Sequence, residues 1–304
     1  MTLTEMRYIV ALARERHFGR AAEACHVSQP TLSVALKKVE GQLGAALFER
    51  TASDVRITAL GERIVAQARR VLEEAVRLEE IAEATGDPMS GQLRVGIIYT
   101  IAPYLLPQLI PALHQHAPKM PLFLKEDFTG NLVPALKAGE LDVIVIALPF
   151  AEPGLVAQPV YGEPFRVVVP ASHPWVGRQE VAADDLDGQN LLLLGQGNCF
   201  RDQVLESCPR LAGDDALDHA IEGSSLETIR YMVASGAGVA VMPSSAADPL
   251  ADKEPLVRVL PFAGDPPRRT VGLVWRVTFP RPQAIDAVRA AVLSCSLPGA
   301  TPVR

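Results

Sequence analysis

The spacing of hydrophobic positions divides the chain into two parts of different character. Over residues 1–57, apolar side chains recur at helical spacing in short runs such as LTEMRYIVALARERH and TLSVALKKVE. Ser28 is a good N-cap for the second of these runs, and Pro30 falls in its first turn. The segment LFERTASDVRITALG then has the turn residues and alternation of two short strands. The pattern therefore predicts a helical head that ends in a small two-stranded wing.

One long helix is predicted from Thr58 to about Ala84. Thr58 is a suitable N-cap, and apolar residues follow at helical spacing: Ile64, Ala68, Val71, Leu72, Ala75, Leu78 and Ile81. A helix of roughly 27 residues extends ~40 Å, too far to be buried within a small head. Since such helices usually pair with a copy of themselves, we expect a dimer. The stretch TGDPMSGQ that follows breaks the helix and predicts a linker.

Strand and helix patterns alternate after the linker. Runs such as LRVGIIY, PLFLKED, LDVIVIAL and NLLLLG are typical of buried strands, and LLPQLIPALHQHAP and SLETIRYMVAS are typical of helices. This alternation predicts an α/β domain with largely parallel strands. The predicted domains are residues 1–57 for the head, 58–88 for the long helix and hinge, and 89–304 for the α/β part.

Charge is unevenly distributed along the chain. The formal net charge is −6, but residues 1–70 carry 11 Lys/Arg against 7 Asp/Glu, so the head is locally basic and the remainder acidic. A basic head on an acidic body fits a DNA-binding module attached to a part that does not touch DNA. The first residues lack the pattern of a signal peptide, and the apolar runs are too short to span a membrane. We therefore expect a cytoplasmic protein without membrane contact. Separately, we expect no cofactor and no metal.

The head contains a motif with the layout of a helix-turn-helix, FGRAAEACHVSQPTLSVALKKVE. In that motif the second helix enters the major groove, and its first residues meet base edges. An ordinary helical hairpin with a solvated face is the alternative, but the wing and the long helix that follow make the DNA-binding interpretation more specific. The residues predicted to contact bases or phosphates are Ser28, Gln29, Pro30, Thr31, Ser33, Lys37, Lys38, Arg50 and Arg56.

The stretch GQGNCFRDQVLESC places two of the four cysteines, Cys199 and Cys208, nine positions apart. On spacing alone, packing residues are the more common interpretation, and a zinc site is poor because His219 is the only histidine nearby. A redox-active thiol reacts as its thiolate. Cys199 follows a glycine-containing turn and opens a predicted helix, so the helix N-terminus and Arg201 are expected to lower its pKa.

The segment AAEACHVSQPTLSVALKKVEGQLGAALFERT resembles the winged helix-turn-helix of LysR-type transcriptional regulators. The resemblance covers essentially the whole chain. It implies a linker helix and then an effector domain of two α/β subdomains, like a periplasmic binding protein. It also implies a regulator rather than an enzyme, which binds promoter double-stranded DNA as a homodimer or homotetramer and contacts RNA polymerase.

Within that family, GNCFRDQVLESC, SSLETIRYMVASGAGVAVMP and PPRRTVGLVW resemble a branch that senses hydrogen peroxide. The resemblance implies that peroxide oxidises Cys199 to a sulfenic acid, which forms a disulfide with Cys208 and activates antioxidant genes. It assigns a peroxide pocket to Thr100, Thr129, Asn198, Arg201 and Arg269. Asn198 departs from the histidine of the best-known member, and an amide cannot titrate near neutral pH.

The nine-residue spacing conflicts with a disulfide if the segment is helical. Nine helical positions span about 13.5 Å, whereas the Cα atoms of a disulfide lie within roughly 7 Å. Oxidation is therefore expected to remodel this segment and, through the dimer, the spacing of the DNA-binding heads. Three alternatives remain: a LysR-type regulator that binds a small metabolite and has passive cysteines, a thiol peroxidase, and a solute-binding protein.

Overall fold

The computed structural model describes residues 1–50, 55–83, 87–207 and 221–303. The chain forms two compact units, Met1–Thr85 and Gly86–Arg304. Within the described part of the chain, no helix is long and apolar enough to cross a membrane.

The first unit is a small helical domain with a wing and a long helix. Its elements are α1 (Leu3–Glu15), α2 (Phe18–Ala24), α3 (Gln29–Leu43), β1 (Phe48–Arg50), β2 (Val55–Ile57) and α4 (Ala59–Glu83). The two wing strands pair antiparallel, as predicted. Both predicted caps are confirmed, since Ser28 Oγ accepts from the Thr31 N–H at 3.3 Å and Thr58 Oγ1 accepts from the Gly61 N–H at 2.9 Å.

The apolar residues of helix α4 differ in burial along its length. Near its start, Val65 and Ala68 are buried within the first unit. Further along, Leu78 is 71% exposed. Burial of the first stretch attaches the helix to the head, whereas the exposed leucine leaves apolar surface available for another partner.

The second unit is an α/β domain. Its strands are β3 (Leu93–Ile97), β4 (Leu122–Glu126), β5 (Val143–Leu148), β6 (Leu155–Pro170), β7 (Leu191–Leu194), β8 (Ile221–Gly223), β9 (Val239–Pro243), β10 (Val257–Pro261), β11 (Arg268–Arg276) and β12 (Thr301–Pro302). Its α-helices are α5 (Ala102–His116), α6 (Thr129–Lys137), α7 (Cys199–Ser207), α8 (Leu226–Ala234), α9 (Ser244–Ala247), α10 (Leu250–Lys253) and α11 (Pro282–Ser294). Two short 3₁₀ helices, Pro174–Gly177 and Ala183–Leu186, lie between β6 and β7.

The strands form one mixed sheet in the order β4-β3-β5-β11-β6-β9-β7-β8, with β10 and β12 also paired to β6. The β3 strand is parallel to β4 and β5, and β7 is parallel to β8 and β9. The two longest strands, β6 and β11, instead run antiparallel to each of their neighbours. The prediction of largely parallel strands is therefore wrong for the centre of the sheet. There β6 runs through both halves, and it pairs antiparallel with β11 in the first half and with β9 in the second.

Two hydrophobic cores confirm the expectation of two subdomains. The first core forms around β3, β5, α5 and α11, and the second around β7, β9, α7 and α8. The long strand β6 contributes to both, because its Tyr161 belongs to the first core and its Phe165 to the second. One continuous strand thus fixes the two subdomains beside each other, and the candidate site lies where they meet.

Candidate functional site

The thiol of Cys199 lies at the start of α7, as the sequence predicted. The preceding turn contains Gly197 with φ +89°, a left-handed conformation that favours glycine. Cys199 carries a free thiol, is half-buried and packs against the first core. The next residue, Phe200, is buried in the second core. The thiol therefore lies at the junction of the two subdomains.

Arg269 on β11 is the charged centre of this junction. Its side chain is fully buried, with its Nε donating to Glu163 Oε1 at 2.8 Å. Its Nη1 donates to Thr100 Oγ1 and its Nη2 to the Thr100 carbonyl oxygen, both at 2.9 Å. The guanidinium carbon also lies 5.3 Å from the centre of the Phe200 ring. Such a set of contacts holds the guanidinium in one orientation.

Burial and the neighbouring positive charge shift the pKa of Cys199 in opposite directions. Burial raises the pKa of the Cys199 thiol, while the charge of Arg269 and a hydrogen bond with the Thr129 side chain lower it. The carboxylate of Asp202, one turn along α7, raises this pKa further. The net direction is upward. The prediction that this pKa is lowered is therefore wrong for this conformation, because the cost of burying the thiolate exceeds the benefit from the nearby cation.

The two pocket threonines follow neighbouring parallel strands. β3 ends at Ile97, so Thr100 lies in the turn beyond the strand rather than at its end. Thr129 opens α6, shortly after the end of β4. Because β3 and β4 are parallel, their carboxyl ends lie at the same edge of the sheet. Thr100 is thereby joined to Arg269, and Thr129 to Cys199.

Asn198 is buried immediately before the thiol. Its Nδ2 donates to the carbonyl oxygen of Gly195 at 3.0 Å, which closes the glycine turn. One of its amide hydrogens is therefore engaged within the loop in this conformation. Asn198 thus contributes to the shape of the turn that presents Cys199.

The side chain of Arg201 hydrogen-bonds to Leu194 and Glu222 and not to Cys199. Its Nη1 donates to the Leu194 carbonyl oxygen at 2.9 Å and to Glu222 Oε1 at 2.7 Å. The cation that lowers the pKa of Cys199 is Arg269 and not Arg201 as predicted. The reason is geometric, since neighbouring residues on a helix point in different directions. Proximity in sequence identified the wrong arginine for this effect.

Two carboxylates that affect the site, Glu163 and Asp202, were not predicted from the sequence. Asp202 lies three positions after Cys199, so helical spacing was a usable signal. Glu163 lies at the head of the apolar run PFRVVVP, where an isolated acidic residue indicates a buried partner. Its partner is Arg269, which stands opposite it across the β6–β11 pair. That register could not be read from the chain.

Cys208, the predicted partner of Cys199, lies outside the described residues, as does His219. The other thiols in the described ranges, Cys25 and Cys295, are half-buried and free. Cys25 packs against the core of the head and Cys295 against the first core of the α/β unit. Burial raises the pKa of both thiols.

The helix α3 presents a polar surface at its N-terminal end. Ser28, Gln29, Pro30 and Thr31 are exposed, and Ser33 is half-buried. Leu32 and Leu36 on the opposite face are buried in the head. The same helix therefore packs through one face and leaves its first turn accessible.

The basic residues of the head differ in what they contact. Lys38 Nζ donates to Glu5 Oε1 at 2.8 Å, a contact that joins α3 to α1 and lowers the pKa of Glu5. Lys37 is exposed and makes no ion pair within the described residues. Arg50 and Arg56 both lie on the wing, on β1 and β2. The predicted DNA-contacting residues thus occupy the start of α3, its solvent face and the wing.

Comparison with known proteins identifies two families along the chain. Residues 3–62 match the bacterial regulatory helix-turn-helix protein, lysR family, and residues 86–294 match the LysR substrate binding domain. The chain is 42% identical over 294 residues to the DNA-binding transcriptional dual regulator OxyR of Escherichia coli K12, with 95% of each chain covered.

Solved structures are similar over the same extent. A full-length OxyR variant from Pseudomonas aeruginosa is 51% identical with a TM-score of 0.72, covering 100% of this chain and 99% of that one. A Corynebacterium glutamicum OxyR mutant with bound H₂O₂ is 33% identical with a TM-score of 0.63, covering 96% of this chain and 91% of that one.

Proposed function

We propose a function for this chain from one premise: it belongs to the LysR family of bacterial transcriptional regulators. The chain is a DNA-binding regulator that senses hydrogen peroxide through Cys199 and activates antioxidant genes. The observation that carries the proposal is the junction where Cys199, Thr129, Thr100 and Arg269 meet. Relatives that cover nearly the whole chain and are named as hydrogen peroxide-inducible activators support it.

The first chemical step is attack of the Cys199 thiolate on peroxide. The sulfur forms a bond to one peroxide oxygen, the O–O bond breaks, and the other oxygen leaves as hydroxide that takes up a proton to become water. The thiol must lose its proton for this attack, and the charge of Arg269 favours that loss. The hydroxyls of Thr100 and Thr129 hydrogen-bond the peroxide oxygens in this proposal. Asn198 adds an amide beside the thiol.

The second step is disulfide formation. The thiolate of Cys208 attacks the sulfur of the Cys199 sulfenic acid, the S–S bond forms, and hydroxide leaves and is protonated to water. Because Cys199 begins a helix, α7 must unwind for residues nine positions apart to come within bonding distance. Oxidation of Cys199 thereby changes the conformation of the regulatory domain.

The output is a change in how the heads are arranged on promoter DNA. The helix α4, with its exposed Leu78, pairs the chains into a homodimer, and two dimers form a homotetramer. The start of α3 reads the major groove, and basic residues of the head contact phosphates. The regulator acts in the cytoplasm and contacts RNA polymerase. It is not an enzyme, since each activation needs one peroxide per site rather than turnover.

A peroxide titration with disulfide mapping and promoter footprinting tests this function. We expect a disulfide between residues 199 and 208 at near-stoichiometric peroxide, together with an altered footprint. Cys199→Ser should abolish both. Cys295→Ser removes another half-buried thiol with a raised pKa, so it serves as the matched control and should change neither.

Two outcomes would overturn the proposal. An unchanged footprint and no 199–208 disulfide would favour a regulator that answers a small metabolite. Sustained peroxide consumption at enzymatic rates would favour a thiol peroxidase.

A further inference from the structure

Glu163 and Arg269 form a buried ion pair directly opposite each other on β6 and β11. Both side chains are fully buried, with 0% exposure. A buried carboxylate is costly unless it is paired and hydrogen-bonded. Because burying this pair is costly, its presence at the junction of the two subdomains indicates a structural or chemical role.

The contacts of Glu163 fix the carboxylate as well as the guanidinium. Its Oε1 accepts from Arg269 Nε at 2.8 Å, and Arg269 Nη2 lies 2.8 Å from the same oxygen. Its Oε2 accepts from the backbone N–H of Ser245 at 3.0 Å. The carboxylate is thus held by a strand on one side and by the start of α9 on the other. It cannot turn away from Arg269 without losing a buried hydrogen bond.

Arg269 in turn connects this carboxylate to the reacting group. Its remaining N–H groups bind Thr100, and its charge acts on the Cys199 thiol. If Glu163 lost its charge, the cation would remain buried without a counter-charge. Such a group is strongly destabilised and moves toward solvent or another partner. Glu163 therefore acts on the thiol through Arg269.

The other ionisable groups around the pair do not provide a counter-charge for Arg269. Tyr161 and Tyr104 both lie within the electrostatic reach of Arg269, but burial raises the pKa of each, so both stay protonated near neutral pH. Glu227 accepts a hydrogen bond from Tyr104 at 3.2 Å and pairs with Arg230. Asp202 acts on Cys199 from the opposite direction, raising its pKa.

We propose that Glu163 is a positioning residue for the peroxide reaction, which holds the Arg269 guanidinium beside Thr100 and the Cys199 thiol. This inference rests on the proposed function and adds a residue to it. Glu163 is not a catalytic residue, because its side chain contacts Arg269 and the Ser245 N–H and reaches the thiol only through Arg269. Glu163 determines the position of the Arg269 guanidinium when Cys199 loses its proton.

Two substitutions separate the effect of the charge of Glu163 from the effect of its side-chain length. Glu163→Gln keeps the length and removes the charge, whereas Glu163→Asp keeps the charge and shortens the side chain by one methylene. In the full-length protein, the pH dependence of Cys199 alkylation by iodoacetamide reports the thiol, and stopped-flow oxidation by H₂O₂ reports the reaction. We expect Glu163→Gln to move the alkylation profile toward higher pH and to slow oxidation about tenfold at neutral pH.

Glu163→Asp preserves a charge-balanced pair, so it keeps the test open if the glutamine variant does not fold. It should shift both readouts in the same direction by a smaller amount, on the order of threefold. The matched control is Asp142→Asn, which removes a buried carboxylate whose ion pair with Arg94, at 2.8 Å, lies at the start of β3 and β5 and therefore at the opposite end of these strands from Thr100. It should lower stability without moving the alkylation profile of Cys199.

A folded Glu163 variant with the wild-type profile and rate would overturn the inference. So would a shift of equal size in Asp142→Asn, since the effect would then be general destabilisation. Failure of the proposed function is separate: wild-type protein would then show no peroxide-dependent oxidation of Cys199, while the alkylation profiles would still report whether Glu163 acts through Arg269.

Discussion

Cys199 and Phe200 are consecutive in the chain, yet their side chains pack against different hydrophobic cores. The Phe200 ring meets Phe165 edge to face at 5.1 Å, deep in the second core. Any movement that carries Cys199 toward a distant thiol must therefore act on the backbone next to a buried aromatic anchor. The start of α7 couples the thiol to the packing of the second subdomain.

Phe200→Ala is expected to destabilise the α/β unit of the reduced protein by about 3 kcal/mol, because it leaves a cavity at a fully buried position. Urea unfolding followed by tryptophan fluorescence measures this, since Trp175 lies in the second core and Trp275 packs against the first. Phe123→Ala is the control, as Phe123 is 47% exposed. Equal destabilisation by the two substitutions would contradict the anchoring role.

The reactivity of Cys199 should depend steeply on pH. Burial raises the pKa of this thiol, so only a small fraction is thiolate at neutral pH, and that fraction grows about tenfold per pH unit below the pKa. We therefore expect the alkylation rate of reduced Cys199 to rise about tenfold per unit from roughly pH 6 to pH 8. Mass spectrometry of the modified peptides measures the rate. A plateau already present near neutral pH would show that the thiol is activated instead.

Thr129→Val should raise the pKa of Cys199 further, because it removes a hydrogen bond that lowers this pKa. The expected loss of reaction rate with peroxide at neutral pH is about threefold to tenfold, corresponding to about 1 kcal/mol for one hydrogen bond. Stopped-flow oxidation measures it. Thr129→Ser retains the hydroxyl and should remain close to wild type.

Asp202→Asn provides a test of opposite sign for the same thiol. Because the Asp202 carboxylate raises the pKa of Cys199, its removal should lower the pKa and speed the reaction, by about twofold to threefold for an exposed charge. If Asp202→Asn slowed oxidation as much as Thr129→Val, general disruption of the site would explain both losses of rate, and the electrostatic account would be wrong.

Lys37→Ala should weaken DNA binding more than Lys38→Ala. Lys37 is exposed, while Lys38 is joined to Glu5 within the head. Loss of one phosphate contact should reduce the slope of log affinity against log salt by about 1. Fluorescence anisotropy on a duplex selected by the protein from random sequence measures this slope across salt concentrations. Equal slopes for both variants would show that Lys38 exchanges its partner for phosphate.

Local sequence patterns determined most of the architecture. Helix caps at Ser28 and Thr58, the wing, and the helix that starts at Cys199 were all predicted, since each depends on residues within one or two turns. The α/β character of the second unit also follows from alternating strand and helix patterns, whereas its division into two subdomains was expected from the family resemblance. The family resemblance added the expectation that Thr100, Thr129 and Arg269 lie near Cys199.

Tertiary structure alone decided the direction of the long strands and the electrostatics of the site. Antiparallel pairing of β6 with β11 places Glu163 opposite Arg269, although 106 residues separate them in the chain. The same packing buries Cys199, so that its pKa is raised despite the nearby cation. Arg201, the adjacent arginine in sequence, is held by Glu222. Hydrophobic spacing specifies which segments form helices and strands. Burial and the partner of each charge depend on how distant segments meet, and no local pattern encodes that.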